Sequence, residues 1–196
     1  MPRFYRSAHG KLKANESGQA AVEVAFAVPL LLLLVCGAID FGRALNTTQV
    51  MSQLTRQGSN LALRLSPTTG CDNLCQAVAD VKAAASGLNL ANGEIIITSL
   101  QETLTGTETI GPTGGPYTIV EQVSSSGGLT VASKLGQGVG TRVTSLPSTA
   151  PALQNGQYLY VTEIYYTFTP ITPIETLTDD FVSMPSQLYD IAYFEG

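Results

Sequence analysis

The stretch Gly18 to Ile39, GQAAVEVAFAVPLLLLLVCGAI, constrains this chain more than any other. It carries one charge, Glu23, and then runs apolar to Ile39. From Ala20 to Ile39 an α-helix rises about 30 Å, the thickness of a bilayer core. A buried core helix of a soluble domain seldom reads VPLLLLLVCGAI, so a membrane helix over residues 19–40 is the expectation. Residues 1–18 form a basic leader with Arg3, Arg6, Lys11 and Lys13 against Glu16, a net charge of +3. The positive-inside rule places that leader in the cytoplasm and residues beyond Asp40 outside it. The leader lacks the small-residue cleavage site that follows the apolar run of a secretory signal.

Glu23 is the anomaly. A carboxylate in hydrocarbon costs roughly 2.5–3.5 kcal/mol on insertion scales. Either it sits at the interface and stays hydrated, or it has a cationic partner. A cut after Gly18 would supply one, the new amino terminus of Gln19, four residues before Glu23. That amine reaches a neighbour's Glu23 more readily than its own, which favours a staggered array of helices. Pro29 removes one backbone donor and is expected to kink or locally loosen the helix.

Helical periodicity continues past the apolar run. Phe41, Leu45, Val50, Met51, Leu54, Gly58, Leu61, Ala62 and Leu65 recur on one face, and Arg43, Asn46, Gln49, Gln53, Arg56, Gln57 and Asn60 on the other. The expectation is one helix of about 45 residues, membrane-spanning to residue 40 and amphipathic over 41–65, ended by Ser66-Pro67. Asp40 and Arg43 read as a helical pair worth only a few tenths of a kcal/mol. Residues 66–196 then form one extracytoplasmic domain.

These residues carry a resemblance. Gly18 with Glu23 at the fifth position after it, ahead of a long apolar helix, is similar to the prepilin peptidase site of type IV-like pilins. Its usual form is Gly-Phe-Thr-Leu-x-Glu; here it is Gly-Gln-Ala-Ala-Val-Glu. With Pro29 and IDFGRALNTTQVMSQLTRQGSNLALR, the block over residues 14–65 resembles the TadE/TadG-like family, minor pilins or pseudopilins of the tight-adherence (Flp) pilus. The resemblance implies cleavage between Gly18 and Gln19 by a prepilin peptidase. It also implies assembly with other pilin and pseudopilin subunits on an inner-membrane platform. The family usually has Phe or Tyr after the Glu, where this chain has Val24. The competing expectation is an uncleaved single-span scaffold of a pilus or secretion apparatus.

The domain reads as α+β. A short helix is expected from about Asp72, suited to an N-cap, to Ser86, with Gly87 closing it. Cys71 and Cys75 flank its start; a disulfide is favoured over free thiols or a metal site, and would pin the helix start. Strands are expected over Glu94–Leu100, Tyr117–Val123 and Tyr158–Thr169, with an edge strand around IAYF near the C-terminus. Turns are read at Gly111–Pro116, Ser124–Gly128 and Asn155-Gly156. Thr130–Leu135 reads as a short helix or nothing regular, and Gln137–Gly156 as loop. The sum is an antiparallel sheet of three or four strands packed on the amphipathic half of the long helix.

No chemistry stands out. The only histidine is His9, in the leader, which excludes a Ser-His-Asp triad elsewhere. Residues after 18 hold six basic against 14 acidic side chains, which argues against nucleic acid as a partner. Gly136–Gly140 reads as a turn rather than a phosphate loop, and Asp179-Asp180 as a solvated turn rather than a calcium site. The expectation is a non-enzymatic subunit without cofactor or metal.

Overall fold

The structure, a computed structural model, describes residues 16–65, 72–102, 117–143, 146, 157–172 and 186–196. The first fifteen residues, the helix end at Ser66-Pro67, Cys71, the turns at Gly111–Pro116 and Asn155-Gly156, and Asp179-Asp180 lie outside them.

One helix, α1 (Glu16–Arg64), runs 49 residues and passes through Pro29 without interruption. At 1.5 Å per residue it is about 74 Å long. Its two halves differ in surroundings. From Val22 to Val35 the large apolar side chains other than Leu33 are half exposed or more, as on a helix whose solvent is not water. From Met51 on, one face is buried: Met51, Leu54, Thr55, Gly58, Ser59 and Ala62. The period of that stripe matches the expectation, but its start does not. Phe41 and Leu45 are 59% and 47% exposed, because below Met51 the covered side runs through Asp40, Ala44 and Thr47 and these two stand beside it.

A second helix, α2 (Asn73–Ala84), starts at Asp72, whose extended backbone makes it the N-cap residue, and tightens into a 3-10 turn over Ala85–Gly87. Asn73 Nδ2 donates to Ala62 O at 2.9 Å, satisfying one of the carbonyls that a helix end leaves open.

Five antiparallel strands follow: β1 (Gly93–Glu102), β2 (Tyr117–Ser124), β3 (Arg142–Val143), β4 (Tyr158–Thr167) and β5 (Gln187–Glu195), in the order β3-β2-β1-β4-β5. The expected three or four strands become five because β3 adds two residues at the edge, Val143 opposite Tyr117 and Arg142 opposite Thr118. The C-terminal strand is an edge, as expected. A bulge at Ser99/Leu100 shifts the β1–β2 register.

Alternation divides the sheet into two faces. Ile95, Ile97 and Ile164 pack against Met51, Leu54 and Ala62 of α1 and Leu74, Ala77, Val78 and Val81 of α2, with Tyr160, Tyr166 and Leu188 at the margin. The opposite face gathers Leu100, Tyr117, Ile119, Leu159 and Val161 beneath Leu135, Val143 and Leu146. Thr130–Leu135, for which a short helix or nothing regular is expected, is not helical: it crosses this second face as an irregular strap ending in a turn at Lys134-Leu135. Lys134 N–H donates to Glu163 Oε1 of β4, Leu135 N–H to Ser133 Oγ and Gly136 N–H to Ser133 O.

Candidate assembly and membrane-facing surface

The surface begins in the first turn of α1. Gly18 and Gln19 are exposed there. The first four amides of a helix have no intrahelical partner, so the Gly18–Gln19 bond lies in a turn whose amides the helix does not hold. Glu23 is exposed one turn on. Gln19 Nε2 donates to Glu23 Oε1 at 3.2 Å. The carboxylate therefore has a neutral donor on its own helix, a partner that the sequence reading did not anticipate. Val24 is 58% exposed and Phe26 78%. Two residues turn a helix by about 200°, so Phe26 lies on a different side of α1 from Val24.

The apolar surface ends at Asp40, which is fully buried. Its carboxylate accepts Ile171 N–H at 3.1 Å on Oδ1, and Thr172 N–H at 3.2 Å and the Thr172 hydroxyl on Oδ2. Arg43 stands 3.6 Å from Oδ1. The guanidinium also reaches Thr169 O at 3.5 Å and lies 5.5 Å from the centre of the Phe168 ring. The expected weak surface pair is thus corrected. Asp40 is a buried clamp that holds the segment after β4 against the helix, and the i, i+3 pair is its smaller part.

Two further polar contacts join helix and sheet higher up. Thr55 Oγ1 donates to Asp190 Oδ2 at 2.6 Å. Ser59 Oγ donates to Ala192 O at 3.1 Å and lies 2.9 Å from Thr162 Oγ1. The small residues Gly58 and Ser59 let the helix approach β4 this closely. Sequence reasoning missed Thr55 and Ser59; their signal was their position, on the buried stripe between Leu54 and Ala62.

On the far face, Glu163 is fully buried. It accepts from the Ser133 hydroxyl, Lys134 N–H at 3.1 Å, Tyr165 OH at 3.0 Å and Tyr189 OH at 2.9 Å. Lys134 Nζ sits 3.3 Å from the centre of the Tyr189 ring. Burial, then the Glu163 charge, raises both phenols above their usual range, and Tyr193 is pushed up to about 12 by the same two causes. Four donors saturate the carboxylate, so it holds the strap and has little left to offer a substrate.

Gly136, Gly138 and Gly140 all have positive φ. Gly138 N–H donates to Gln122 Oε1 and Gly140 N–H to Ile119 O, so these amides are already occupied by the protein. Among the described residues no three His, Cys, Asp or Glu gather where they could hold a metal ion. Cys36 is free, on the apolar half of α1; Cys75 is disulfide-bonded, and Cys71, its expected partner, lies outside the described residues.

Among the described residues one helix, α1, is long and apolar enough to cross a membrane. No curated protein and no solved structure matches the chain significantly. The family model of TadE-like proteins matches residues 18–60, from the first turn of α1 to the stripe that carries the sheet. Over that stretch of helix the chain is similar to TadE-like proteins.

Proposed function

We propose that this protein is a minor pilin or pseudopilin of a Tad (Flp) type pilus. It is inserted in the bacterial inner membrane with its leader cytoplasmic and its sheet domain outside. A prepilin peptidase cuts it after Gly18. It then joins other pilin subunits at the assembly platform through the apolar half of α1. Its mechanism is packing, not catalysis, and it needs neither cofactor nor metal. One observation carries the reading: α1 is apolar and exposed all round for half its length, carries a lone carboxylate five positions after Gly18, and is built into the sheet for the rest.

In apolar surroundings Glu23 gains from any donor. Its bond to Gln19 Nε2 is neutral; the amine released by cleavage is charged and forms the stronger contact. Since that amine and Glu23 sit about 6 Å apart along one helix, pairing across neighbours fixes a stagger of that order.

The test is N-terminal sequencing of the chain purified from a cell that holds the peptidase. Gln19 is the expected first residue. A mature chain beginning at Met1 would refute processing and favour the uncleaved scaffold. Glu23→Ala is expected to leave cleavage intact and to abolish incorporation; pili that carry the variant normally would refute the charge pairing.

A further inference from the structure

We propose that the segment after β4, residues 168–172 with Ile171 at its tip, is a second membrane contact, which seats the sheet domain on lipid beside its own helix. The inference rests on the reading of α1 as bilayer-spanning and adds a surface outside that helix.

Ile171 is 66% exposed, although its own N–H is bonded to a fully buried carboxylate. That bond fixes its height. Asp40 directly follows Ile39, the last residue of the apolar run, so Ile171 stands within about one helical turn of the end of the hydrocarbon. The headgroup layer extends roughly 5–7 Å beyond, about three to five residues of helix. Phe41 and Leu45, exposed at 59% and 47%, occupy or border that band, as does Arg43.

The chemistry of the band suits an anionic lipid surface. It presents aromatic and aliphatic side chains continuous with the apolar helix, and a guanidinium. Its one acid on α1, Asp40, is hidden and bonded to three donors beside Arg43. Phe168 and Thr169 are held from beneath by the same arginine, so the tip is presented on a fixed support.

Opposite geometry supplies a control. Val139 is 72% exposed and apolar too, but it sits beside Gly140, whose N–H bonds to Ile119 O. Ile119 is opposite Leu100, and Leu100 opposite Leu159, at the far end of β4. Eight residues of strand put it about 26 Å from Thr167.

The chain has no tryptophan, so each single Trp variant reports one place. The full chain is reconstituted in vesicles of equal parts phosphatidylethanolamine and phosphatidylglycerol, with and without brominated acyl chains. Ile171→Trp, and Thr169→Trp as a second reporter on the segment, are expected to emit at shorter wavelength than Val139→Trp and to lose emission in brominated vesicles. Val139→Trp is expected to emit as in water and to be unaffected. Phe26→Trp reports on the helix itself. If Phe26→Trp is quenched and both segment reporters behave like Val139→Trp, the second contact is refuted while the anchor stands. If Phe26→Trp is not quenched, the bilayer-spanning reading fails and the proposal falls with it. A shorter-wavelength emission that ignores bromine but grows with the protein-to-lipid ratio assigns the tip to another protein copy and likewise overturns the proposal.

Discussion

Gly58→Ala sets two effects of known size against each other. Gly58 lies in the interior of α1, where alanine is better than glycine by about 0.8–1.0 kcal/mol. On propensity alone the substitution stabilises. The structure opposes it. A methyl at Gly58 would lie 2.9 Å from Thr162 Oγ1, 3.0 Å from Thr162 Cγ2 and 3.2 Å from Val81 Cγ2. Non-bonded carbons are at ease at about 3.5–4.0 Å. Thr162 has little freedom to give way. It is β-branched, fully buried, and paired on one side with Ile97 and on the other with Ala192. Rotating it would also break its contact with Ser59. Overpacking of this kind costs about 1–3 kcal/mol, so the expected net effect is a loss of about 1 kcal/mol.

A double-mutant cycle separates the clash from the propensity. Thr162→Ala alone removes a contact and opens a gap, and Ser59 keeps its bond to Ala192 O. In the double variant the methyl added at Gly58 fills that gap. A favourable coupling of about 1–2 kcal/mol follows. Urea unfolding of the full chain in non-ionic detergent, followed by the near-ultraviolet circular dichroism of its eight tyrosines, measures all four corners. A Gly58→Ala protein that is more stable than wild type, with an additive cycle, would show that the helix does not approach β4 this closely.

Three further outcomes follow from buried polar groups. Asp40→Ala removes the acceptor of Ile171 N–H and Thr172 N–H; a loss of about 1–3 kcal/mol is expected, read as faster hydrogen exchange at these two amides with β1 unchanged. Glu163→Gln keeps the shape but turns an amide toward groups that donate, and Lys134 N–H cannot reverse; it is expected to cost about 1–3 kcal/mol and to bring the Tyr165 and Tyr189 phenols down toward their usual range in an alkaline absorbance titration. Glu121, beside Asp72 at the start of α2, is raised from 4.5 to about 7, first by burial and then by its hydrogen bond to Asp72 and that residue's charge. The folded state thus holds this proton more tightly than the unfolded one, so its contribution to stability is full below about pH 4.5 and is lost as the pH rises through about 7. Glu121→Gln should flatten that slope in urea midpoints taken across the interval.

The long helix and the main strands were legible because each is a run of one kind. Apolar residues from Ala20 to Ile39 admit little else, and the β-branched and aromatic runs of β1 and β4 place them on either side of one ladder. What was not legible depends on residues far apart in the chain. Asp40 looked like half of a solvent pair because its real partners, Ile171 and Thr172, lie more than a hundred residues on. The strap at 130–135 has no period of its own; Glu163 sets its path by taking the Lys134 amide out of any helix. Two-residue β3 is shorter than any pattern. Phe41 and Leu45 show a different limit: periodicity picks out an apolar face, but the side that the neighbour covers here runs through Asp40, Ala44 and Thr47 instead.

The distribution of anchors along α1 says why one carboxylate near its start matters to the other end. Asp40, Thr55 and Ser59 bond to residues of one sheet or the segment that leaves it, at heights spread over about 28 Å of helix. A body held at three such points does not pivot about the helix; it follows it. The apolar half has no comparable markers, since exposed valines and leucines face every direction and one side fits apolar neighbours about as well as another. In the proposed assembly, then, packing alone leaves the rotation of the helix open. Glu23 closes it: a shift of one residue in the pairing moves the helix by about 1.5 Å and turns it by about 100°. The sheet, fixed to the same helix, turns by the same angle, so in that proposed assembly a charge near the first turn would determine which face of the domain its neighbours meet.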